Sequence, residues 1–330
     1  MPAVTPSDMS AVPRLSPVSG LTGGGAPRSI RSVSTAPAGF EGEGFPVRRA
    51  FAGLSLADLD PFVHMDQMGA IEYAAGEPKG TPWHPHRGFE TVTYMIDGTF
   101  LHQDSHGGGG VISDGGTQWM TAGGGILHIE TPPEEMVIKG GLFHGVQLWV
   151  NLPPADKMIS PAYQNLEADM VKLIASEDGG SLIRVIAGDV GGHAGPGSTH
   201  SPMALAHASI AKGSVVNLPW DPGFNAIAYV LAGSGLVDDG NGESISVHAG
   251  QTVLFGSGDS VTFRGQGEKV DASESFEVMI MGGRPIGAPV VQHGPFVMNT
   301  RAEIEQAMSD YQAGRLGVVP AGALQPFRAK

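Results

Sequence analysis

From about Phe45 onward, the chain carries short runs of β-branched and aromatic residues that are separated by glycines. The length of these runs and their glycine boundaries are typical of strands in an all-β sandwich or barrel. Clear examples are TVTYMI (91–96), VQLWVNL (146–152), SLIRVIAG (181–188), AIAYVLAG (226–233) and QTVLFG (251–256). Only one convincing helix is predicted, near residues 301–313, because Thr300 and Glu303 have the spacing of a capping box and Gly314 follows as a stop.

The start of the chain differs from the rest. Residues 1–40 lack apolar periodicity and contain six prolines, so we expect a disordered N-terminal tail. A total of 330 residues favours two domains. We expect an N-terminal metal-binding barrel over residues 41–165 and a degenerate C-terminal barrel over residues 166–330, which includes the predicted helix.

Composition narrows the chemistry. The formal net charge is −14 and no basic cluster is present, so direct nucleic-acid binding is not expected. The absence of cysteine excludes disulfides, thiolate metal sites and thiol nucleophiles, so any metal must be held by histidines and carboxylates. No apolar run approaches the ~20 residues of a membrane-spanning helix. We therefore expect a cytoplasmic protein that does not associate with membranes.

The sequence also contains an internal repeat. A shift of 135 residues places residues 84–130 on residues 219–265, and ten of these 47 positions are identical, five of them glycines. Phe89 then falls on Phe224 and Tyr94 on Tyr229, so turn glycines and strand aromatics keep one register. Two copies of one β-domain explain this pattern.

Two short motifs carry candidate metal ligands. His84 and His86 are two residues apart, and Glu90 shares their strand face if no bulge intervenes. His128 and Glu130 form a second pair with the same spacing. Imidazoles with a carboxylate suit Fe(II), Mn, Ni, Cu or Zn, and the residues alone do not choose among these metals.

The repeat acts as an internal control on these candidates. Their counterparts in the second copy are Pro219, Asp221, Asn225, Phe263 and Gly265. The second copy therefore keeps the scaffold but loses every candidate ligand, which favours a metal site in the first barrel and a structural role for the second.

Several longer motifs resemble the pirin family of the cupin superfamily. They are DPFVHMDQMG (60–69), HPHRGFETVTYMIDGTF (84–100), QWMTAGGGILHIE (118–130), GLFHGVQLWVNLP (141–153) and GPFVMNTRAEIEQAMSDYQAGRLG (294–317). The resemblance spans about residues 45–318. It implies two tandem cupin barrels, with iron, as Fe(II), held in the first by three histidines and one glutamate.

Carried onto this chain, the resemblance implies metal ligation by His84, His86, His128 and Glu130. Many metal cupins take their carboxylate from the first motif instead, so Glu90 stays open as an alternative ligand or as a group beside the ligands. Either Glu130 or Glu90 is a candidate catalytic base. His144 and Gln147, in the run GLFHGVQLWV, are candidates to line the cavity or orient a ligand, or to serve packing alone.

The resemblance implies two functions. Some pirins are quercetin 2,3-dioxygenases, which open the ring of a flavonol with O₂ and release carbon monoxide. Other pirins bind a transcription factor or a metabolic enzyme as iron-dependent regulators without turnover of their own. The expected partner is thus either a small aromatic, flavonol-like substrate or another protein.

Overall fold

The protein is described from a computed structural model, which covers residues 3–18, 25–266 and 275–327. Within these residues the chain is mostly β-strand. The helical segments are α1 (Pro6–Ala11), α2 (Leu56–Leu59), α3 (Glu134–Lys139) and α4 (Arg301–Gln312), with short 3₁₀ turns at Val12–Arg14 and Pro154–Asp156. Helix α4 begins with the predicted capping box, in which Thr300 and Glu303 each accept a hydrogen bond from the other's backbone N–H. In this part of the chain, no helix has the length and hydropathy needed to cross a bilayer.

The strands fall into two sets along the chain. The first set is β1 (Ile30–Thr35), β2 (Ala38–Glu41), β3 (Phe45–Arg49), β4 (Phe62–Tyr73), β5 (His84–His86), β6 (Phe89–Asp97), β7 (Phe100–Asp104), β8 (Gly109–Ile112), β9 (Thr117–Thr121), β10 (Ile126–Thr131), β11 (Gly141–Asn151) and β12 (Ala162–Leu166). The second set is β13 (Lys172–Ala175), β14 (Ser181–Ala187), β15 (Asp189–Val190), β16 (His193–Ala194), β17 (Met203–Ile210), β18 (Val215–Pro219), β19 (Ile227–Ala232), β20 (Ser234–Asp238), β21 (Ser244–His248), β22 (Gln251–Phe255), β23 (Ser260–Gly265), β24 (Phe276–Gly283), β25 (Val291–His293) and β26 (Phe296–Met298).

Each barrel is built from one seven-stranded and one four-stranded sheet. The first barrel pairs its strands in the orders β12-β9-β6-β11-β4-β3-β2 and β5-β10-β7-β8. The second uses the orders β1-β22-β19-β24-β17-β14-β13 and β18-β23-β20-β21. Register repeats as well, because Val92 lies opposite Trp119 in the first barrel and Ile227 lies opposite Leu254 in the second. The predicted fold of two tandem barrels is confirmed.

The two barrels meet through their larger sheets. Apolar side chains from the outward faces of both sheets form one buried cluster, which includes Val92 and Leu148 from the first barrel and Leu205, Ile227 and Met279 from the second. Alternation along each strand sends the other set of side chains into the barrel interior. The face of the strand on which a residue lies therefore decides whether its side chain can reach a site inside the first barrel.

The N-terminal segment is partly structured, contrary to the prediction of a disordered tail. Strand β1 (Ile30–Thr35) pairs with β22 and completes the edge of the second barrel, the position that β12 occupies in the first. Strand β2 (Ala38–Glu41) pairs with β3 of the first barrel. Backbone pairing with a sheet edge distant in sequence is not visible in local apolar periodicity, which explains the difference. The predicted tail also includes residues outside the described ranges.

The C-terminal segment returns to the first barrel. Arg87 pairs with Asp310 of α4 at 2.7 Å, and buried Lys157 donates to the backbone carbonyls of Gly88 and Val297. Gly88 has φ +87°, and a Cβ at this position would lie 2.1 Å from the Val297 carbonyl oxygen. Only glycine permits this close approach. The chain after the second barrel therefore forms part of the wall around the first.

Candidate metal centre

Two antiparallel strands bring the candidate ligands together. Strand β5 carries His84 and His86, and β10 carries His128 directly opposite His84. The alternation of β10 places Glu130 on the same face, one pair further along, opposite His102 of β7. The HxH and HxE motifs thus converge because their strands are neighbours in the four-stranded sheet.

Three imidazoles form a tight cluster. The Nε2 atom of His84 lies 3.1 Å from Nε2 of His86 and 2.8 Å from Nε2 of His128. One nitrogen from each residue falls within 4.8 Å of the other two. His86 and His128 are 3 % and 0 % exposed, and burial sets their pKa well below the ordinary value. Buried imidazoles with such pKa values are neutral at physiological pH, as metal ligands must be.

The outer nitrogens of two rings define their tautomers. Nδ1 of His84 lies 2.8 Å from the carbonyl oxygen of Pro82, and Nδ1 of His86 lies 3.2 Å from that of Pro295. A carbonyl only accepts, so both Nδ1 atoms carry the proton and both Nε2 atoms carry a lone pair. Two lone pairs that face each other at 3.1 Å repel, and a cation between them removes that repulsion.

The third ring is held by a chain of polar groups. Nδ1 of His128 lies 3.4 Å from Nδ1 of His102, and Nε2 of His102 lies 3.6 Å from a carboxylate oxygen of Asp104. Nε2 of His102 has no hydrogen-bond partner among the described residues, but it faces the negative charge of Asp104, which favours a proton on this nitrogen. Nδ1 of His102 then accepts the proton of His128 Nδ1. The Nε2 atom of His128 is then the third lone pair in the cluster. This arrangement fits a metal ion, because outer groups of this kind commonly orient ligating histidines.

His102 lies in strand β7 beside His128. Its ring also stacks on Tyr163, with ring centroids 5.0 Å apart and an interplanar angle of 7°. The alternating pattern FLHQD was the signal for an inward-facing His102, although a single histidine in that pattern gives no reason to expect a contact with a ligand.

Glu130 lies beside the histidine cluster but is fixed by neutral donors. The hydroxyl of Thr93 donates to Oε1 at 2.7 Å, and the side-chain amide of Gln147 donates to Oε2 at 2.7 Å. Gln118 adds a longer contact of 3.4 Å to Oε1. In a residue that is only 2 % exposed, these bonds hold the carboxylate in position without neutralising its charge.

Glu90 lies on the face of strand β6 that points away from the histidine cluster. Arg87 and Gly88 separate β5 from β6, so the alternation that would have aligned Glu90 with the histidines is interrupted. Glu90 is fully buried, accepts from the Thr121 hydroxyl at 2.7 Å and lies 4.0 Å from His200. Burial raises its pKa. Among the two carboxylates considered, only Glu130 borders the same cavity as the histidines.

The two further candidates, His144 and Gln147, also lie on opposite faces of their strand, β11. Gln147 faces the cavity and contacts Glu130. His144 faces the second barrel. Its Nε2 lies 2.8 Å from the side-chain amide of Gln67 on β4, which also donates to the Leu231 carbonyl of the second barrel, and burial lowers the pKa of His144 to about 4. A bulge between His144 and Gly145 in the pairing with β6 accompanies this difference. His144 therefore does not border the cavity.

A cavity of about 550 Å³ adjoins the cluster. It is lined by His84, His86, Glu130 and Gln147 and by apolar residues such as Phe100 and Met68. Pro295, from the C-terminal segment, closes one side. His64, Asp66 and Trp149 border it too, and no motif in the sequence singles them out.

The fold and the buried histidine cluster define a two-barrel protein with a metal-compatible site in the first barrel. The sequence profile of the Pirin family matches residues 44–150, and that of the Pirin C-terminal cupin domain matches residues 205–317. This chain belongs to the pirin family, within the cupin superfamily.

Three relatives illustrate the range of the family. A pirin-like protein of Solanum lycopersicum is 40 % identical over 292 residues, which is 88 % of this chain and 94 % of the relative. A putative quercetin 2,3-dioxygenase of Pseudomonas aeruginosa is 39 % identical over 277 residues, or 83 % of this chain and 93 % of the relative. A solved structure of quercetin 2,3-dioxygenase from Acinetobacter baumannii is 35 % identical, with a TM-score of 0.81, and covers 89 % of this chain and 100 % of that chain.

Proposed function

We propose that this protein is a metal-dependent dioxygenase that opens the ring of a flavonol. The observation that carries the proposal is the convergence of three imidazole lone pairs at the wall of a cavity of about 550 Å³. A closed structural site would not need a cavity beside it. Relatives that carry the name quercetin 2,3-dioxygenase support the choice of a flavonol.

The proposed ligand set is the Nε2 atoms of His84, His86 and His128 with the carboxylate of Glu130. Three imidazoles and one carboxylate suit Fe(II), and Mn, Ni, Cu or Zn remain alternatives to it. When bound, the metal would supply Lewis-acid chemistry to a flavonol, whose adjacent hydroxyl and keto oxygens are a chelating pair.

The chain's own residues then position the substrate and handle its proton. Glu130 is the proposed base for the hydroxyl proton, since Glu90 lies outside the cavity. Gln147 and Thr93 hold the two oxygens of Glu130 in fixed positions, which limits reorganisation during proton transfer. The apolar side chains of Phe100 and Met68 exclude water from the aromatic part of the ligand.

The test is oxygen uptake by iron-loaded protein with quercetin. We expect O₂ consumption that depends on both the flavonol and the iron, and that is abolished in His128→Ala. Wild-type protein that binds iron fully and still shows no turnover with any flavonol would contradict the proposal.

The location of the C-terminal segment favours one alternative function, an iron-dependent regulatory binding protein. The Pro295 carbonyl contacts His86, and the chain continues from there into the partly exposed helix α4. A change at the metal could thus reach a surface that a protein partner contacts. This alternative predicts that hydrogen exchange of residues 291–312 differs between the ferrous and ferric protein, whereas equal exchange in both states argues against it.

A further inference from the structure

We propose that His64 and Asp66 form a second polar subsite in the same cavity, which binds a phenolic hydroxyl of the substrate remote from its chelating oxygens. This inference rests on the proposed function and makes it more specific. It predicts a flat aromatic ligand with two polar ends, and it explains a pair of polar side chains to which the metal chemistry assigns no role.

The alternation of side chains along strand β4 places both His64 and Asp66 in the cavity. His64, Asp66 and Met68 alternate along the strand and border the cavity. The side chain of Met65, which lies between His64 and Asp66 in sequence, belongs to the apolar cluster between the two barrels. Gln67, between Asp66 and Met68, instead donates to the Leu231 carbonyl of the second barrel, so the polar pair on the inward face is distinct from it.

The pairing with β11 relates the pair to the metal site, whose histidines lie on the other sheet of the barrel. His64 lies opposite Trp149, and Asp66 lies opposite Gln147, which in turn contacts the carboxylate of the metal site. The Trp149 ring lies 5.0 Å from the His64 ring and 5.4 Å from the His86 ring, measured between centroids. The indole therefore lies beside one histidine of the proposed subsite and one histidine of the metal site.

One carboxylate oxygen of this subsite lacks a donor. Nε2 of His64 lies 3.2 Å from Oδ2 of Asp66, but Oδ1 is buried and has no hydrogen-bond partner among the described residues. Asp66 is only 4 % exposed. Arg49, its cross-strand neighbour on β3, directs its guanidinium to Glu41 instead. A buried carboxylate oxygen without a donor is costly, so a ligand hydroxyl or a water supplies one.

His64, Asp66 and Trp149 together determine which ligand the subsite favours. A phenolic O–H donates to Oδ1 of Asp66, and a hydrogen bond to an ionised acceptor is stronger than one between neutral groups. The aromatic body of the ligand packs on the indole of Trp149. A site built to hydrogen-bond a substrate hydroxyl discriminates against an analogue that lacks it. The subsite therefore favours flavonols with hydroxyls on the outer rings.

The experiment compares quercetin with 3-hydroxyflavone, which keeps the chelating oxygens and lacks every other hydroxyl. The measured quantity is the ratio of kcat/KM for the two substrates, in wild-type protein and in Asp66→Asn. We expect the variant to lower this ratio roughly tenfold, because an anionic acceptor is replaced by a neutral one. Dividing one ratio by the other cancels the difference in intrinsic reactivity between the substrates.

A second variant and a binding measurement test the same subsite independently. His64→Phe keeps the aromatic contact with Trp149 but removes the nitrogen that orients Asp66, so a smaller drop in the same direction is expected. Dissociation constants of both flavonols, measured without O₂ by fluorescence quenching of the iron-loaded protein, should change in parallel. His248→Gln is the matched control, since His248 is exposed on β21 of the second barrel.

The outcomes separate the two proposals. A ratio that stays unchanged in both variants, with full iron content, overturns the subsite and leaves the dioxygenase proposal standing, because water is then the partner of Asp66. Wild-type protein that binds iron but neither binds nor oxidises either flavonol overturns the dioxygenase proposal, and the subsite with it.

Discussion

The two barrels share strand order and register but differ in what fills their interiors. In the first, inward positions on β6, β9 and β10 carry Thr93, Gln118, His128 and Glu130, and the corresponding positions of the second carry Ala228, Val253, Phe263 and Gly265. The second interior packs as one apolar cluster, whereas the first contains a polar network beside a cavity.

This comparison shows that the fold does not require a polar interior. Buried polar and ionised groups lower stability unless they are well paired, whereas apolar packing adds to it. In the second barrel, the interior of the same scaffold is filled by apolar side chains that pack against one another. The polar groups of the first barrel are therefore best explained by a ligand that they bind.

The largest predicted effect comes from truncation of equivalent residues in the two barrels. His128→Ala should remove the metal and with it all flavonol-dependent O₂ uptake. Phe263→Ala, at the matching position, should keep the metal and lower the free energy of unfolding by about 3–5 kcal/mol, because it leaves a cavity in an apolar core. Metal analysis and urea denaturation measure the two effects. Loss of metal from folded Phe263→Ala would refute the assignment.

Next in size is the effect of Glu130→Gln on turnover. The substitution keeps the shape of the side chain but removes both the proposed base and the proposed carboxylate ligand, and places an amide next to the donor of Gln147. We expect kcat to fall roughly 10²- to 10⁴-fold. Glu90→Gln is the control and should leave kcat unchanged, since Glu90 lies on the other face of its strand. Equal losses in the two variants would show that the face assignment is wrong.

A smaller effect is expected from His102→Phe. The phenyl ring retains the stacking on Tyr163 but cannot accept the proton of His128 Nδ1. The dissociation constant for iron should rise roughly 10- to 100-fold, as is common when an outer partner of a ligating histidine is lost. Competition with a chelator measures this constant. Val237→Ala, the equivalent position in the second barrel, should lower stability alone, and unchanged iron affinity in His102→Phe would contradict the proposed role.

The smallest effect concerns the stability of Glu90→Gln as a function of pH. Burial raises the pKa of Glu90 in the folded protein, so the folded state keeps a proton that the unfolded state loses above about pH 4.5. Wild-type stability therefore falls as pH rises from there through the raised pKa. Because the variant lacks this titration, its free energy of unfolding relative to wild type should increase with pH across that window. Urea denaturation over roughly pH 4 to 8 tests the sign, and a flat or falling difference would contradict it.

Local pattern in the sequence was enough to predict the two barrels and the clustering of three histidines. Strand periodicity, turn glycines and the 135-residue repeat carry the fold, and the two period-two motifs place His84, His86 and His128 on neighbouring strands. The position of Glu130 beside them followed from the same alternation.

Other features depend on contacts between distant segments. Glu90 was offered as an alternative ligand because alternation was extended across Gly88, where the chain turns to let the C-terminal segment approach. Strand β1 and the segment after β24 each complete the opposite barrel, and no local pattern reveals such an exchange. The roles of His102 and of the His64–Asp66 pair required the register between neighbouring strands.

The central claim is that the first barrel alone holds a metal, at His84, His86 and His128. The most direct measurement is anomalous X-ray diffraction from crystals of iron-loaded protein, recorded at the iron absorption edge. The account predicts one peak per chain, within bonding distance of the three Nε2 atoms, and no peak in the second barrel. A peak elsewhere, or one that persists in His128→Ala, would contradict it.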